Sequence, residues 1–375
     1  MLSNWRIRFL TCLMAGIALP LPALAAHHVP ASGGGHVYVL TNQPTGNAVM
    51  VFHRDATGAL TSKGTFATGG NGAGAGSDPL QSQNPVVLSG DGKLLFAANA
   101  GSNSITAFRV SGDTLTATDT VSSGGIMPVS LSVRGNLLYV LNAGDVPNIS
   151  GFTVNADSGL LTPLANSTQL LPGGRQAAPA EVAFVPGVNK LLVTEKGTNQ
   201  IDTFAVNGDG MAEAGTAFSS PKPTPFGFAF APHHIAIVSD AVKGKPLAAT
   251  LSSYQIRQHG MPPVIISAAV RDFQTAACWI AVTDDGAYAY TVNTGSNTIS
   301  SYTVSVGGTL TLLNSTAGGG NFPTDAALSK DSSFLYVRNG GDGSVEGFAV
   351  NVDGSLTTVA IAGGLPDGAA GLAAR

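Results

Sequence analysis

Seven times along this chain an apolar run ends on a polar residue, passes through a small or glycine-rich turn and re-emerges as a strand that closes on an aromatic. The phrase first reads Tyr38-Val39-Leu40-Thr41-Asn42 and then ends in turn at Asn99, Asn142, Glu195, Asp240, Asn293 and Asn339. Successive end points lie 43 to 57 positions apart. A period of about 50 residues marks a chain of equivalent supersecondary units, none of which can bury its apolar face without its neighbours.

Each unit has the same grammar. Proline leads a short apolar strand at Pro85, Pro128, Pro179, Pro225 and Pro323. A turn such as Asp91-Gly92 or Asp285-Gly286 follows, and Asp-Gly between apolar runs is a strong hairpin signal. The second strand ends at the ring position. Gly101-Ser102-Asn103-Ser104 and Gly295-Ser296-Asn297-Thr298 are turn residues opening a third strand, which closes on Phe52, Phe108, Phe152, Phe204, Tyr254, Tyr302 or Phe348. Gly-x-Leu-Thr at 58–61, 159–162, 308–311 and 354–357 starts a fourth. Four antiparallel strands in each of seven units predict an all-β fold, a seven-bladed β-propeller over residues 37–375. The first unit lacks an inner strand, whereas residues 365–374 resemble an orphan one; pairing the two closes the ring and leaves no exposed edge. The glycine-rich insertion at 69–83 reads as a mobile surface loop.

Arg6 and Arg8, an apolar stretch over 9–19 and Ala23-Leu24-Ala25 form a secretory leader with cleavage expected after Ala25, followed by a disordered segment over 26–36. The address is periplasmic or secreted. No later stretch is long and apolar enough to span a membrane. Cleavage removes Cys12 and leaves Cys278 without an intramolecular partner, so the fold must hold by burial. With 44% hydrophobic and 11% charged residues the core material is ample, and 48 glycines imply many tight turns. A net charge of −4 with scattered lysines and arginines gives no footprint for nucleic acid. The reading is of a monomer without a cofactor.

These blade motifs resemble those of the seven-bladed propeller lactonases, the family of propeller-type 6-phosphogluconolactonase and the carboxymuconate-cyclising enzymes. The same grammar also occurs in non-enzymatic surface propellers with YVTN-type repeats, so it specifies fold better than activity. The resemblance implies an Arg-His pair on one inner strand and an acid at the end of the next strand. Here Glu195 matches the acid, but Ala180 and Glu181 occupy the arginine and histidine positions. Arg175, upstream in a loop, is the nearest substitute guanidinium.

Glu195 and Asp240 break the asparagine ring on neighbouring blades, at a position expected near one channel mouth. Two carboxylates placed close together raise the pKa of one and make an acid-base pair. Asparagine and aspartate at such a position also close turns through side-chain to backbone hydrogen bonds. Glu181 points toward the same region; three acids could hold Ca²⁺ or form a solvated acidic rim, and the rim is preferred, with no metal expected. Lys196, Trp279, Asn99, Asn142, Asn293 and Asn339 are the candidate substrate-binding residues, with the indole either stacking on a flat ligand or packing in the core. Cys278 lacks a neighbouring base and reads as a buried structural thiol. His233 and His234 fall at an exposed hairpin turn, and His27, His28 and His36 in the N-terminal segment.

The first reading is a lactonase-like enzyme acting on a small lactone, with Glu195 as general base, Asp240 or Glu181 tuning it, and Arg175 or Lys196 holding a substrate carboxylate. Acidic mouth positions disfavour a phosphorylated lactone. The alternative is a non-catalytic secreted propeller that binds a carbohydrate, peptide or partner protein.

Overall fold

The computed structural model describes residues 33–258 and 261–375. The leader expected over 1–25, and His27 and His28, lie outside the described residues. Among those described, the chain forms 29 strands and two short 3-10 turns, arranged as seven antiparallel sheets in a ring. Blade 4 is representative: Pro179–Phe184 is innermost, followed outward by Lys190–Glu195, Gln200–Ala205 and Thr216–Ser219. The other inner strands of blades 2 to 7 are Val86–Leu88, Pro128–Arg134, Pro225–Ala231, Ala277–Val282 and Pro323–Leu328.

Blade 1 closes the ring as the sequence predicts. Its inner strand is Ala370–Ala374, paired antiparallel with Gly35–Leu40. The N-terminal boundary differs from expectation: Gly35 and His36 already belong to that strand, and His36 is buried. Backbone bonds in both directions between His36 and Arg375 hold the junction at 3.0 and 3.1 Å.

Second strands such as Leu94–Asn99 and Phe334–Asn339 are buried at every position because a blade packs on both faces. Outer strands such as Thr114–Ser122 are largely exposed. The tyrosine and Gly-x-Leu-Thr signals meet between blades. The Tyr290 hydroxyl donates to Gly354 O at 3.0 Å and that of Tyr336 to Gly58 O at 2.9 Å, each reaching the next blade. A buried phenol needs such a partner. Gly58 takes φ +89° and a Cβ there would lie 2.5 Å from the Phe334 ring, so both backbone and space require glycine.

The asparagines of the third-strand turns act similarly. Asn103, Asn199 and Asn297 adopt positive φ. Their Oδ1 atoms accept the backbone N–H of Met127, Thr224 and Phe322, each just ahead of the next inner strand.

The insertion does not project as a surface loop. Gly74 N donates to Asn42 O in blade 1, Ser82 Oγ to Val129 O in blade 3, and Gln83 N to Ala180 O in blade 4. Trp279 Nε1 of blade 6 donates to Ser82 O, and Arg338 Nη2 of blade 7 to Ser77 O. A segment bonded to inner strands on opposite sides of a ring must cross its axis. Residues 72–84 therefore plug one mouth of the channel.

Candidate active site at the channel mouth

The ring residues are drawn into the blades. Asn99 Nδ2 donates to Ser104 Oγ and Thr106 Oγ1, and Asn293 Nδ2 to Thr298 Oγ1 and Ser300 Oγ. Asn142 Nδ2 reaches Asn148 Oδ1 and Ser123 O, and Asn339 Nδ2 reaches Ser344 Oγ. All four are buried and bonded toward the third strand, away from the channel. Asp240 accepts from Ser220 Oγ, Thr250 Oγ1 and Ser252 Oγ at 2.7, 3.2 and 2.9 Å. Burial pushes its carboxyl up to about 7 against the pull of those hydroxyls.

Glu195 is also fully buried. Its oxygens accept from Gly173 N at 3.0 Å and from Thr198 Oγ1. Beside it lies Asp202, whose pKa burial and the Glu195 carboxylate raise to about 9. As a carboxylate Asp202 would have no donor; carrying a proton, it donates to Glu195. Among the described residues no hydrogen bond or ion pair joins Glu195 to Asp240, and Arg175 is turned outward onto Asp145. Neither the paired acids nor the guanidinium anchor expected from sequence assembles here, and these acids do not form an oxygen-ligand cluster.

The Glu195–Asp202 pair has a measurable consequence. Folded Asp202 keeps a proton that an unfolded Asp, near 3.8, loses. The unfolded state then binds fewer protons between about pH 4 and about pH 9, so folding stability falls as pH rises through that window. Asp202→Asn keeps a donor for Glu195 and removes this residue's share of the dependence. It should raise stability by about 1–3 kcal/mol at pH 8 and leave it nearly unchanged at pH 4, as read by denaturant melts at both. Equal shifts at the two pH values would refute the shared proton.

The channel itself is lined from the position two residues after each inner-strand proline, where the pairing register shifts. These side chains brace one blade to the next. Ser130 Oγ accepts from Val182 N at 3.1 Å, Glu181 Oε2 from Phe228 N at 2.6 Å, and Asp325 Oδ2 from Leu372 N at 2.9 Å. In blade 5 the position is Gly227, and the plug substitutes for its side chain. Gln83 Oε1 accepts from Ile280 N at 3.1 Å while its Nε2 donates to Ile280 O at 2.9 Å. A Cβ on Gly227 would lie 2.1 Å from that Oε1. Asn84 Nδ2 donates to the other Glu181 oxygen at 2.7 Å. Burial holds Glu181 well above the usual carboxylate range, and burial raises Asp325 to about 7.

Trp279 is buried against Phe226, with ring centroids 4.9 Å apart, and lies under the plug rather than open to a ligand. Burial raises the Cys278 thiol, consistent with an inert structural residue. His233 and His234 sit in a turn at positive φ.

Three groups meet at the plugged mouth. Asp78, on the plug and partly exposed, has its carboxyl pushed up to about 6 by burial, with Lys196 and Arg338 opposing that shift. Lys196 Nζ donates to Gln81 O and Pro179 O and sits 4.8 Å over the Phe226 ring; burial lowers it to about 8. Arg338 is buried, donates to Thr324 Oγ1 and Ser77 O, and has no partner for Nε. It lines a cavity of about 290 Å³ with Gly340, Asp342, Pro366 and Asp367.

Only Lys196 of this trio was singled out from sequence. Two signals were available for the others. Arg338 occupies the place before the ring residue where the other six units carry Thr41, Ala98, Leu141, Thr194, Ser239 or Val292. The insertion ends directly at Pro85, so its last residues must approach the axis.

Seven four-stranded blades closed by the C-terminal strand define a seven-bladed β-propeller. The sequence model of the "Lactonase, 7-bladed beta-propeller" family matches residues 26–172 and 247–365. The chain belongs to that family. Glu195, Lys196 and Asp240 fall in the interval between the two matched segments. A proposed 6-phosphogluconolactonase from Bacteroides uniformis superimposes with TM-score 0.71 at 17% identity, covering 92% of this chain and 100% of that one. The periplasmic gluconolactonase of Pseudomonas aeruginosa gives 0.67 at 17%, covering 91% and 99%. A Lactobacillus plantarum protein gives 0.70 at 19%, covering 91% and 99%. These likenesses show the shared fold. No curated protein matches the sequence.

Proposed function

We propose that this protein is an exported hydrolase of small, unphosphorylated lactones, with its chemistry at the plugged channel mouth. The observation that carries this reading is that Lys196 and the buried Arg338 bind the plug backbone on either side of Asp78, at Gln81 O and Ser77 O, with burial pushing the carboxyl up to about 6 and the amine down to about 8. A base and an acid tuned to either side of neutrality suit ester hydrolysis at neutral pH. Asp78 takes a proton from water, whose oxygen adds to the lactone carbonyl carbon. Arg338 faces the resulting oxyanion. The ring C–O bond then breaks, and the alkoxide takes a proton from the Lys196 ammonium to leave a hydroxy acid. The general-base role expected of Glu195 passes to Asp78, because Glu195 is enclosed and both its oxygens are engaged.

Asp342 and Asp367 beside Arg338 disfavour a phosphorylated substrate. Export rests on the leader read at residues 1–25 and accords with the periplasmic location in the description of the Pseudomonas neighbour. Among the described residues no helix is long and apolar enough to cross a membrane.

Two features favour a second reading. The plug is bonded to blades around the ring, and Ala180 and Glu181 stand where the family resemblance implies an Arg-His pair. A non-catalytic propeller binding carbohydrate, peptide or protein on this face has the same features. A panel of five- and six-membered lactones, including sugar lactones, decides between them. Turnover by the wild type supports hydrolysis, whereas no turnover across the panel overturns it in favour of binding alone.

A further inference from the structure

We propose that His36, His53 and Asp113 form a three-ligand site for a divalent transition-metal ion such as Zn²⁺, which clamps the ring-closing blade to its neighbour. The site stands apart from the channel mouth and is independent of the lactonase reading. His36 and His53 are direct cross-strand partners on Gly35–Leu40 and Ala48–Arg54, so their rings share one face of blade 1. Asp113 comes from the hairpin that joins Ser104–Ser111 to Thr114–Ser122 in blade 2.

His36 Nε2 lies 2.8 Å and His53 Nδ1 3.2 Å from the same oxygen, Asp113 Oδ1. All three ligand atoms fall within 4.8 Å of one another. Ligands about 2.0–2.1 Å from a tetrahedral zinc stand about 3.3–3.4 Å apart, so small side-chain shifts suffice. Two imidazoles and a carboxylate suit zinc-class ions rather than Ca²⁺ or Mg²⁺. The side chains of His53 and Asp113 are 40% and 39% exposed, which leaves an entry path and a fourth position for water. Lys63 Nζ holds Asp113 Oδ2 at 3.4 Å, leaving Oδ1 to face the histidines.

Arg375 sets the resting state. Its Nε and Nη2 point at His36 Nδ1 from 3.4 and 3.3 Å. A guanidinium offers only donors, so Nδ1 keeps its lone pair and the ring proton sits on Nε2, donated to Asp113. A metal needs the Nε2 lone pair. The proton must leave Nε2 and the ring take one up at Nδ1, where it displaces the guanidinium. Arg375 and the metal therefore favour opposite tautomers of one histidine.

Zinc titration calorimetry and zinc-dependent thermal melts on the wild type, His53→Ala, Asp113→Asn and Arg375→Ala test the site. The expected result is one saturable Zn²⁺ per chain that raises the melting temperature. Affinity should fall at least about tenfold in His53→Ala and in Asp113→Asn and rise in Arg375→Ala. Because His53 and Asp113 are partly exposed, these variants should fold, which circular dichroism checks. Zinc binding unchanged in His53→Ala would place the ion on other histidines and overturn the proposal. Lack of saturable binding by both the wild type and Arg375→Ala would overturn it as well.

Discussion

Asp78→Asn is expected to lower lactone turnover by about 10²–10⁴-fold, the usual weight of a positioned general base. Glu195→Gln should retain turnover while losing stability, because that carboxylate closes a turn inside blade 4. The pH profile carries the sharper signature. The base must be ionised, so activity rises through about 6, the value to which Asp78 is pushed. The acid must be protonated, so activity falls through about 8, the value to which Lys196 is lowered. A bell with those limbs, losing its acidic limb in Asp78→Asn, is the outcome that fits. Equal turnover by Asp78→Asn and wild type, or loss in Glu195→Gln alone, would return the base to Glu195.

Gln83→Ala should destabilise the fold by about 2–5 kcal/mol despite lying outside every strand. Truncation leaves the buried N–H and C=O of Ile280 without their side-chain partners and opens a void at the axis. Gly227→Ala should also destabilise, since its new Cβ would collide with Gln83 Oε1 and would lie 2.8 Å from Cys278 O. In the double variant the methyl enters space vacated by the amide. The pair should then be less damaging than the sum of the singles, with a coupling of about 1–3 kcal/mol. Denaturant melts of the four proteins measure this cycle. Strict additivity would mean that the plug rests on the channel without completing it.

The ring and its closure were legible because they rest on local chemistry repeated seven times. Apolar alternation, Asp-Gly turns and positive-φ asparagines each act within a few residues, and repetition averages out the exceptions. Even the closing strand at Ala370–Ala374 could be found as the unit missing from the other end. The register also placed Glu181, Gly227 and Trp279 at one level of the inner strands, as the structure has them.

The site was harder to read because departures from a repeat do not reveal which way a side chain points. Glu195 and Asp240 stand out in the alignment, yet the strand pleat turns both into the blade, where Asp202, Ser220 and Ser252 meet them. Asp78 and Gln83 lie in a segment with no counterpart in other units, so alignment assigns them no place. The blade, the number of blades and their closure follow from the repeated pattern alone. What occupies the axis is set by packing in three dimensions, because it depends on contacts among inner strands far apart in the chain. Gln83 fills the space left by Gly227, 144 positions away, and no local pattern records such a fit.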